Sequence, residues 1–532
     1  MGAQSLRVKA FIEISGLDTI AVPMNPTFRF GPPMAVVLVL AACHASPASH
    51  FATAKQRFAA EDYAAARVEL IAALKTTPKN PDLLLWLART QLRIGDGEGA
   101  QAALNRARAL GVSAATVQVM AAETTLLLGK PDESLALLGN DASPDGWRVR
   151  AAVFIAKHKL LLAFGAFEQG LARAKNYQLL ADYCWLLLSA NDLAGTAEQL
   201  SVLKQLKPEG QDTLMIAATL AGRQGHDAAA LAALHRAEQL NHTSLRVESA
   251  QIEVLERMGK TAEALAAANR AAALAPNNPD VIADQLRLIS AQGKWQVVRA
   301  KLEAAEGSIG PDSANAALYA EAMINLGNVE QARALLKRIV DQEPGNNFVR
   351  NLLAKTMLAG NDAQAAYDMM KPVTSSRDAS AEDLELMARI CEHIVGADPS
   401  SYRKQASAPE ARRYQELMRA AGVAMQKSDW RAAQSAWSAL NALRPGDVTI
   451  ASNLAYAASL AGDHDAAIIW GDRVLAMAPG NPQMLKIAGM ARVRAARDLV
   501  RAKDLLAQSL SANPEDVETA LYAYKAETAA PK

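Results

Sequence analysis

The sequence predicts an all-α protein, a solenoid of helical hairpins stacked one on the next. Three observations lead there. Small and apolar residues return with a period of about 34 residues along most of a 532-residue chain. Hydrophobic residues make up 51% of the composition while aromatics make up only 5%, so the apolar surface is mostly Ala and Leu, which form helices well and let them pack closely. Gly or Asn, followed by Asp at 95–96 and 191–192, punctuates the periodic segments, where a left-handed turn and a new helix cap are needed. A chain of this length would otherwise suggest several separate cores, but a hairpin that cannot bury its apolar face alone must stack, and the stack shares one core.

The unit is clearest at residues 81–114, PDLLLWLARTQLRIGDGEGAQAALNRARALGVSA. With Pro81 as its first position, Leu87 and Ala88 fall at 7 and 8, Leu92 at 12, Gly95-Asp96 at 15 and 16, Ala100 at 20, Leu104 at 24 and Ala107 at 27. Two antiparallel helices approach closely only where small residues meet, here Ala88 and Ala100, while Leu87, Leu92 and Leu104 fill the space beside them. This pattern resembles the tetratricopeptide repeat. The resemblance implies a right-handed solenoid of about 13 repeats in two arrays, with partners held on the concave face.

Charge excludes more than it suggests. Lys and Arg number 56 against 55 Asp and Glu, and neither sign forms a long block, so nucleic acid and polybasic membrane contacts are not expected. No apolar stretch is long enough for a membrane-spanning helix.

From the N-terminus, MNPTFRFGPP with Arg29 precedes the short apolar run MAVVLVLAAC at 34–43, the arrangement of a signal peptide. Its end, Leu40-Ala41-Ala42-Cys43, resembles the lipobox of bacterial lipoproteins, in which the Cys is acylated and becomes the mature N-terminus. Cys43 is therefore the expected lipidation site. The competing reading is an apolar N-terminus with a buried Cys. Glu13 and Asp18 interrupt residues 1–23, so 1–42 is read as an overlong start plus signal, beginning in effect at Met24. His44 is not the Asp that the resemblance associates with inner-membrane retention, so an outer-membrane anchor is expected. Residues 43–50 are expected to be a lipid-anchored tether.

Repeats then follow at 47–80, 81–114, 115–143 (shortened), 144–177 (with His158 in place of the turn Gly), 177–210, 211–244, 245–278, 279–312, 313–346 and from 347, where Pro372 is expected to end the copy early. Residues 373–413 lose the rhythm and are expected to be an irregular break or hinge between a first array at 51–372 and a second at 414–516. Residues 517–532 are expected to supply a capping helix and tail.

No phosphate loop, zinc-protease His pair, Cys-rich metal set or hydrolase elbow is present, so no catalysis, cofactor or metal is expected. His226, His235 and His242 share one repeat but face different ways, and Cys391 and His393 diverge on a helix. Cys184 takes the small position that Ala fills elsewhere, and about six repeats separate it from Cys391, so the two are expected to be buried thiols.

The first helix of each repeat offers positions 2, 5, 9 and 12 to the concave face. Position 9 carries Arg89, Trp185, Arg287, Lys355 and Tyr456, with Glu253 and Glu321 as acidic counterparts, a mixture that suits a polypeptide better than a polyanion. For each residue a plain solvated helix face is the alternative. No copy has the Lys and Asn clamp of chaperone-tail receptors. The first two repeats behind a lipobox resemble the tetratricopeptide lipoproteins of exosortase and exopolysaccharide systems. The expected function is a non-catalytic scaffold lipoprotein in the cell envelope, facing the periplasm. Alternatives are a cytosolic tetratricopeptide regulator, if Cys43 is never modified, and an accessory subunit that positions an envelope enzyme.

Overall fold

The computed structural model describes residues 46–240, 244–303, 314–376, 379–407, 409–427 and 429–529. Cys43 and the segment read as a signal peptide lie outside the described residues. Among the described residues there are 29 helices and no strand, pairing as fourteen hairpins and one closing helix.

The chain forms two compact units, one holding residues up to Ala250 together with Arg492–Lys532, the other holding Gln251–Ala491. In the first unit, hairpin 1 pairs Pro47–Ala59 with Tyr63–Thr76, hairpin 2 Pro81–Arg93 with Gly97–Ala109, and hairpin 3 Ala114–Leu127 with Pro131–Leu138. Hairpin 4 pairs Pro144–Ala156 with Leu160–Arg173, hairpin 5 Tyr177–Ser189 with Leu193–Leu206, and hairpin 6 Gln211–Arg223 with Asp227–Leu240. Hairpin 7, Leu245–Arg257 with Thr261–Leu274, runs across the division at 250/251. The second unit continues with hairpins 8 to 13: Pro279–Ala291 with Trp295–Glu303, Ala314–Asn325 with Val329–Gln342, Asn347–Ala359 with Ala363–Thr374, Ala381–Cys391 with Pro399–Ser407, Pro409–Gln426 with Trp430–Leu443, and Val448–Ala461 with His464–Met477. Hairpin 14, Pro482–Arg494 with Leu499–Ala512, leads to the closing helix Val517–Ala529.

The local causes are the ones the residues suggest. Short polar side chains accept from amides of the first turn and so satisfy donors that the helix itself cannot: Asn80 from Leu83, Asp96 from Gly99, Asn176 from Leu179, Asp447 from Ile450. Ten successive hairpin turns carry one residue at positive φ, at Glu61, Gly95, Gly129, His158, Asn191, Gly225, Gly259, Gly293, Gly327 and Asn361. Six of these are Gly, which has no Cβ to clash there. Ala88 and Ala100 are fully buried at the crossing of hairpin 2, and Cys184 is fully buried in the equivalent place of hairpin 5.

Three expectations change. The helix of hairpin 1 begins at Pro47, inside the stretch read as a tether, because Ser46 caps it and Pro47 occupies the first position, where a missing N–H costs nothing. Residues 373–413, expected as an irregular break, carry hairpin 11 instead. Leu386, Met387, Ile390 and Cys391 join the same core as Leu286, Leu353 and Met370. Pro372 lies inside the helix that it was expected to end, in a last turn held by buried Val373 and Thr374. The extra hairpin brings the count to fourteen, and the units divide at 250/251 and 491/492 rather than at 373–413.

The closing helix also differs from a plain end cap. Besides following hairpin 14, it packs within the first unit on hairpins 4 and 5. Ala520 and Leu521 enter a core with Phe164, Phe167, Leu179 and Tyr183. The Tyr524 ring stacks on Phe164 with centroids 6.1 Å apart, and its hydroxyl donates to Glu168 at 2.6 Å. Lys525 pairs with Asp192 at 2.7 Å.

Candidate functional site: the inner face of the first unit

Polar side chains of the first unit, carried by hairpins 1 to 6 and by the start of hairpin 7, form a chain of charged contacts. Arg148, on the first helix of hairpin 4, reaches Glu123 of hairpin 3 at 2.6 Å and Asp182 of hairpin 5 at 3.5 Å. Its side chain is 8% exposed and its Nε has no hydrogen-bond partner. Burial works against the charge of the guanidinium, but Glu123 and Asp182 outweigh it and raise the Arg148 pKa. Burial likewise opposes the Glu123 carboxylate, yet Arg148 and then Arg93 hold its pKa below the usual range. Asp182 goes the other way: burial raises it, the more distant Arg148 compensates only in part, and Asp212 adds like-charge repulsion.

The ladder continues through hairpins 5, 6 and 7. The Trp185 indole N–H donates to Asp212 at 3.5 Å, and the Arg246 guanidinium lies 4.0 Å from the centre of the Trp185 ring. Arg246 also approaches Asp212 at 3.8 Å, while its Nη2 is buried without a hydrogen-bond partner. Burial pulls the Arg246 pKa down against the pull of Asp212. Such a cation over an indole is stabilising in its own right, more so when partly dry.

Hairpin 1 closes on this assembly. Burial pushes the Tyr63 hydroxyl pKa up, and Arg93, Glu61 and Asp212 all act on it. Hairpin 1 meets hairpin 6 directly, where Glu61 accepts from the backbone N–H of Gln211 at 2.5 Å. Tyr177, beneath Lys207 at 5.5 Å, is raised by burial and by Asp212 and Glu61. The Cys184 thiol is pushed up to about 12 by burial and by the Asp212 and Asp182 charges, so it is neutral and a poor nucleophile.

The residues anticipated for the groove are distributed unevenly. Trp185 is buried at the centre of the ladder. Arg89 is exposed, with its guanidinium 5.6 Å from the Trp86 ring. In the second unit, Glu253 pairs with its own helix neighbour Arg257 at 2.7 Å, and Arg287 pairs with Glu256 and with Asp284. Glu321 is half-buried, Lys355 is exposed, and Tyr456 meets Trp430 edge to face at 5.9 Å. The structure joins none of these seven directly to another. Arg148, Asp212 and Arg246 were missed, although Asp212 and Arg246 open their helices at position 2, which also faces the groove. Among the described residues, no group of three or more His, Cys, Asp and Glu could hold a metal ion, and no helix is long and apolar enough to cross a membrane.

Three segments of the chain, 57–121, 290–356 and 418–482, match family models described as tetratricopeptide repeat. The chain is thus an all-α helical-repeat solenoid built in part from recognisable tetratricopeptide repeats. Among solved structures it is similar to the hetero-tetramer Cut9-Hcn1 of APC/C, with 15% identity over 90% of this chain and 98% of that one and a TM-score of 0.32. It is also similar to a tetratricopeptide repeat protein from Parabacteroides merdae, with 15% identity over 52% and 97% and a TM-score of 0.35. A third is YrrB, described as having an unusual peptide-binding site, with 15% identity over 32% and 89% and a TM-score of 0.29. No curated protein matches the chain by sequence.

Proposed function

We propose that the protein is a non-catalytic scaffold that holds polypeptide segments of its partners on the inner helix faces of its two units. The observation that carries this reading is the run of first helices that bring carboxylates and guanidiniums of successive hairpins together, Glu123, Arg148, Asp182, Asp212 and Arg246, with the aromatic face of Trp185 among them. Such a surface offers donors, acceptors and apolar area at the spacing of stacked helices. An extended chain can use all three, whereas a polyanion would meet three carboxylates against two guanidiniums.

The reading includes anchorage. Cys43 carries the lipid, the scaffold stands in the cell envelope on the periplasmic side of the outer membrane, and the machine it serves exports or assembles polysaccharide or surface proteins. The tether argument rests on the Leu40-Ala41-Ala42-Cys43 motif and on the first described helix starting at Pro47, four residues after Cys43 in sequence. The test is cross-linking and affinity capture from detergent-solubilised envelopes, using the full chain and a variant with Trp185→Ala and Arg287→Glu. Partners retained by the full chain and lost by the variant support the reading; identical capture by both contradicts it. Intact-mass measurement of the mature chain settles Cys43 separately. An acylated N-terminus at Cys43, lost with membrane association in Cys43→Ser, is the expected result, and an unmodified chain in the cytosol is the contrary one.

A further inference from the structure

The turn of hairpin 1 departs from the others in a way that has a use. Its left-handed position holds Glu61 at φ 63, where the next turn has Gly95 and most of the later ones also have Gly. Left-handed backbone disfavours a residue with a Cβ, and Glu lacks the short side chain that lets Asn or Asp relieve the strain locally. The local fold gains nothing from Glu here. The carboxylate is nevertheless 8% exposed and fully engaged. One oxygen accepts from Lys207 Nζ at 2.7 Å and the other from the backbone N–H of Gln211 at 2.5 Å, while Lys207 also donates to the carbonyl of Ala59 at 3.0 Å.

Gln211 is the first residue of the helix Gln211–Arg223, whose N-cap is Gly210 and has no side chain to cap with. That helix lacks its own cap and receives one from a turn about 150 residues earlier in the chain. A carboxylate at a helix N-terminus satisfies an orphan N–H and meets the positive end of the helix dipole. The site therefore combines a strained residue, a missing local cap and a half-buried ion pair, and one side chain accounts for all three.

We infer that Glu61 is a clasp: it caps hairpin 6 from hairpin 1, closes the first superhelical turn on itself, and makes the inner face behind it reachable only when the clasp opens. The face it guards is the one with Tyr63, Tyr177, Asp212 and Trp185. An extended polypeptide laid along Trp185 must pass the seam between Glu61 and Gln211, so partner entry and clasp opening are coupled. This last step rests on the scaffold reading above; the closure itself does not.

The test uses the full-length protein and Glu61→Gly, a variant that keeps the turn of the neighbouring hairpins and relieves its backbone, so loss of folding is not its expected outcome. Hydrogen exchange followed by mass spectrometry reads the cap. The amide of Gln211 is expected to exchange about tenfold faster or more, as for a lost charge-assisted bond. The first turn of Val448–Ala461, capped by its own Asp447, should not change. Hydroxyl-radical footprinting reads access: Tyr177 and Trp185 should oxidise several-fold faster in the variant, with Trp437 of hairpin 12 as an unchanged internal control. Glu61→Gln should fall between the two proteins, since it retains an acceptor but loses the pairing with Lys207. Unaltered exchange at Gln211 overturns the clasp. Faster exchange with unaltered oxidation of Tyr177 and Trp185 overturns its role as a gate. Envelope capture that fails while both readouts behave as expected overturns the scaffold reading alone.

Discussion

The two units build the same helical hairpin and treat its inner face differently. In the first, Arg148 is buried between two carboxylates, Arg246 covers Trp185, and a turn residue from hairpin 1 caps a helix of hairpin 6. In the second, the corresponding charges sit on the surface: Arg287 is exposed between Glu256 and Asp284, and Glu253 is occupied by the next turn of its own helix. What differs is how far these charges are removed from water: the Arg148 side chain is 8% exposed and that of Arg287 50%.

Predictions follow this contrast in order of size. Removing Arg148, as Met, leaves the Glu123 carboxylate buried without its partner. The expected loss is about 3–5 kcal/mol, seen as a large fall in the Tm of the first unit. An unchanged melting curve would mean that the ladder is wet and weak. Next comes Ala88→Leu, which forces extra carbons into a fully buried crossing and should cost about 1–3 kcal/mol; full stability would show that the crossing is looser than it looks.

Smaller and of opposite sign is Asp182→Asn. Because the folded state holds the Asp182 proton more tightly than the unfolded chain does, this carboxyl takes stability away as pH rises from the ordinary carboxylate range through its raised folded value. Its amide should add under about 1 kcal/mol at neutral pH and nothing in acid. Glu123 has the reverse sign: its lowered folded pKa supplies stability above the ordinary carboxylate range that is lost as pH falls through the folded value. Chemical denaturation of Asp182→Asn and Glu123→Gln across pH should therefore give opposite trends, and parallel trends would break the account. Smallest is Arg287→Ala in the second unit, with its exposed pairs, expected to change stability by less than about 1 kcal/mol while weakening partner capture.

Much of the fold was legible in the sequence because the hairpin is a local object. Ala88, Ala100 and the turn residues from Glu61 to Asn361 mark crossings and turns by spacing alone, and they lie where the spacing puts them. A helix at 382–396 could be read within the break, but its partner Pro399–Ser407 was not legible, because it is short and buries nothing among its described side chains, so it carries no apolar stripe to read. The docking of Val517–Ala529 was not legible either. Leu521 and Tyr524 have the same spacing whether a helix covers the last hairpin or returns to Phe164, and only the tertiary fold chooses. The candidate site was half visible. Trp185 stood out at position 9, but Asp212 and Arg246 look like ordinary first-turn charges until winding brings them together around the indole. Glu61 could be seen as a departure from Gly; its partners Lys207 and Gln211 are too far along the chain for spacing to suggest them.

The closure of the first unit is the claim on which the rest depends, and a zero-length cross-link tests it most directly. Carbodiimide activation of the native protein should join the Glu61 carboxylate to the Lys207 amine, 2.7 Å apart across 146 residues of sequence, as an amide that mass spectrometry recovers between the two peptides. The account predicts that this link forms within a single chain and disappears when the protein is unfolded before activation. Recovery of Lys207 only unmodified, or linked only to carboxylates of its own hairpin, would contradict it.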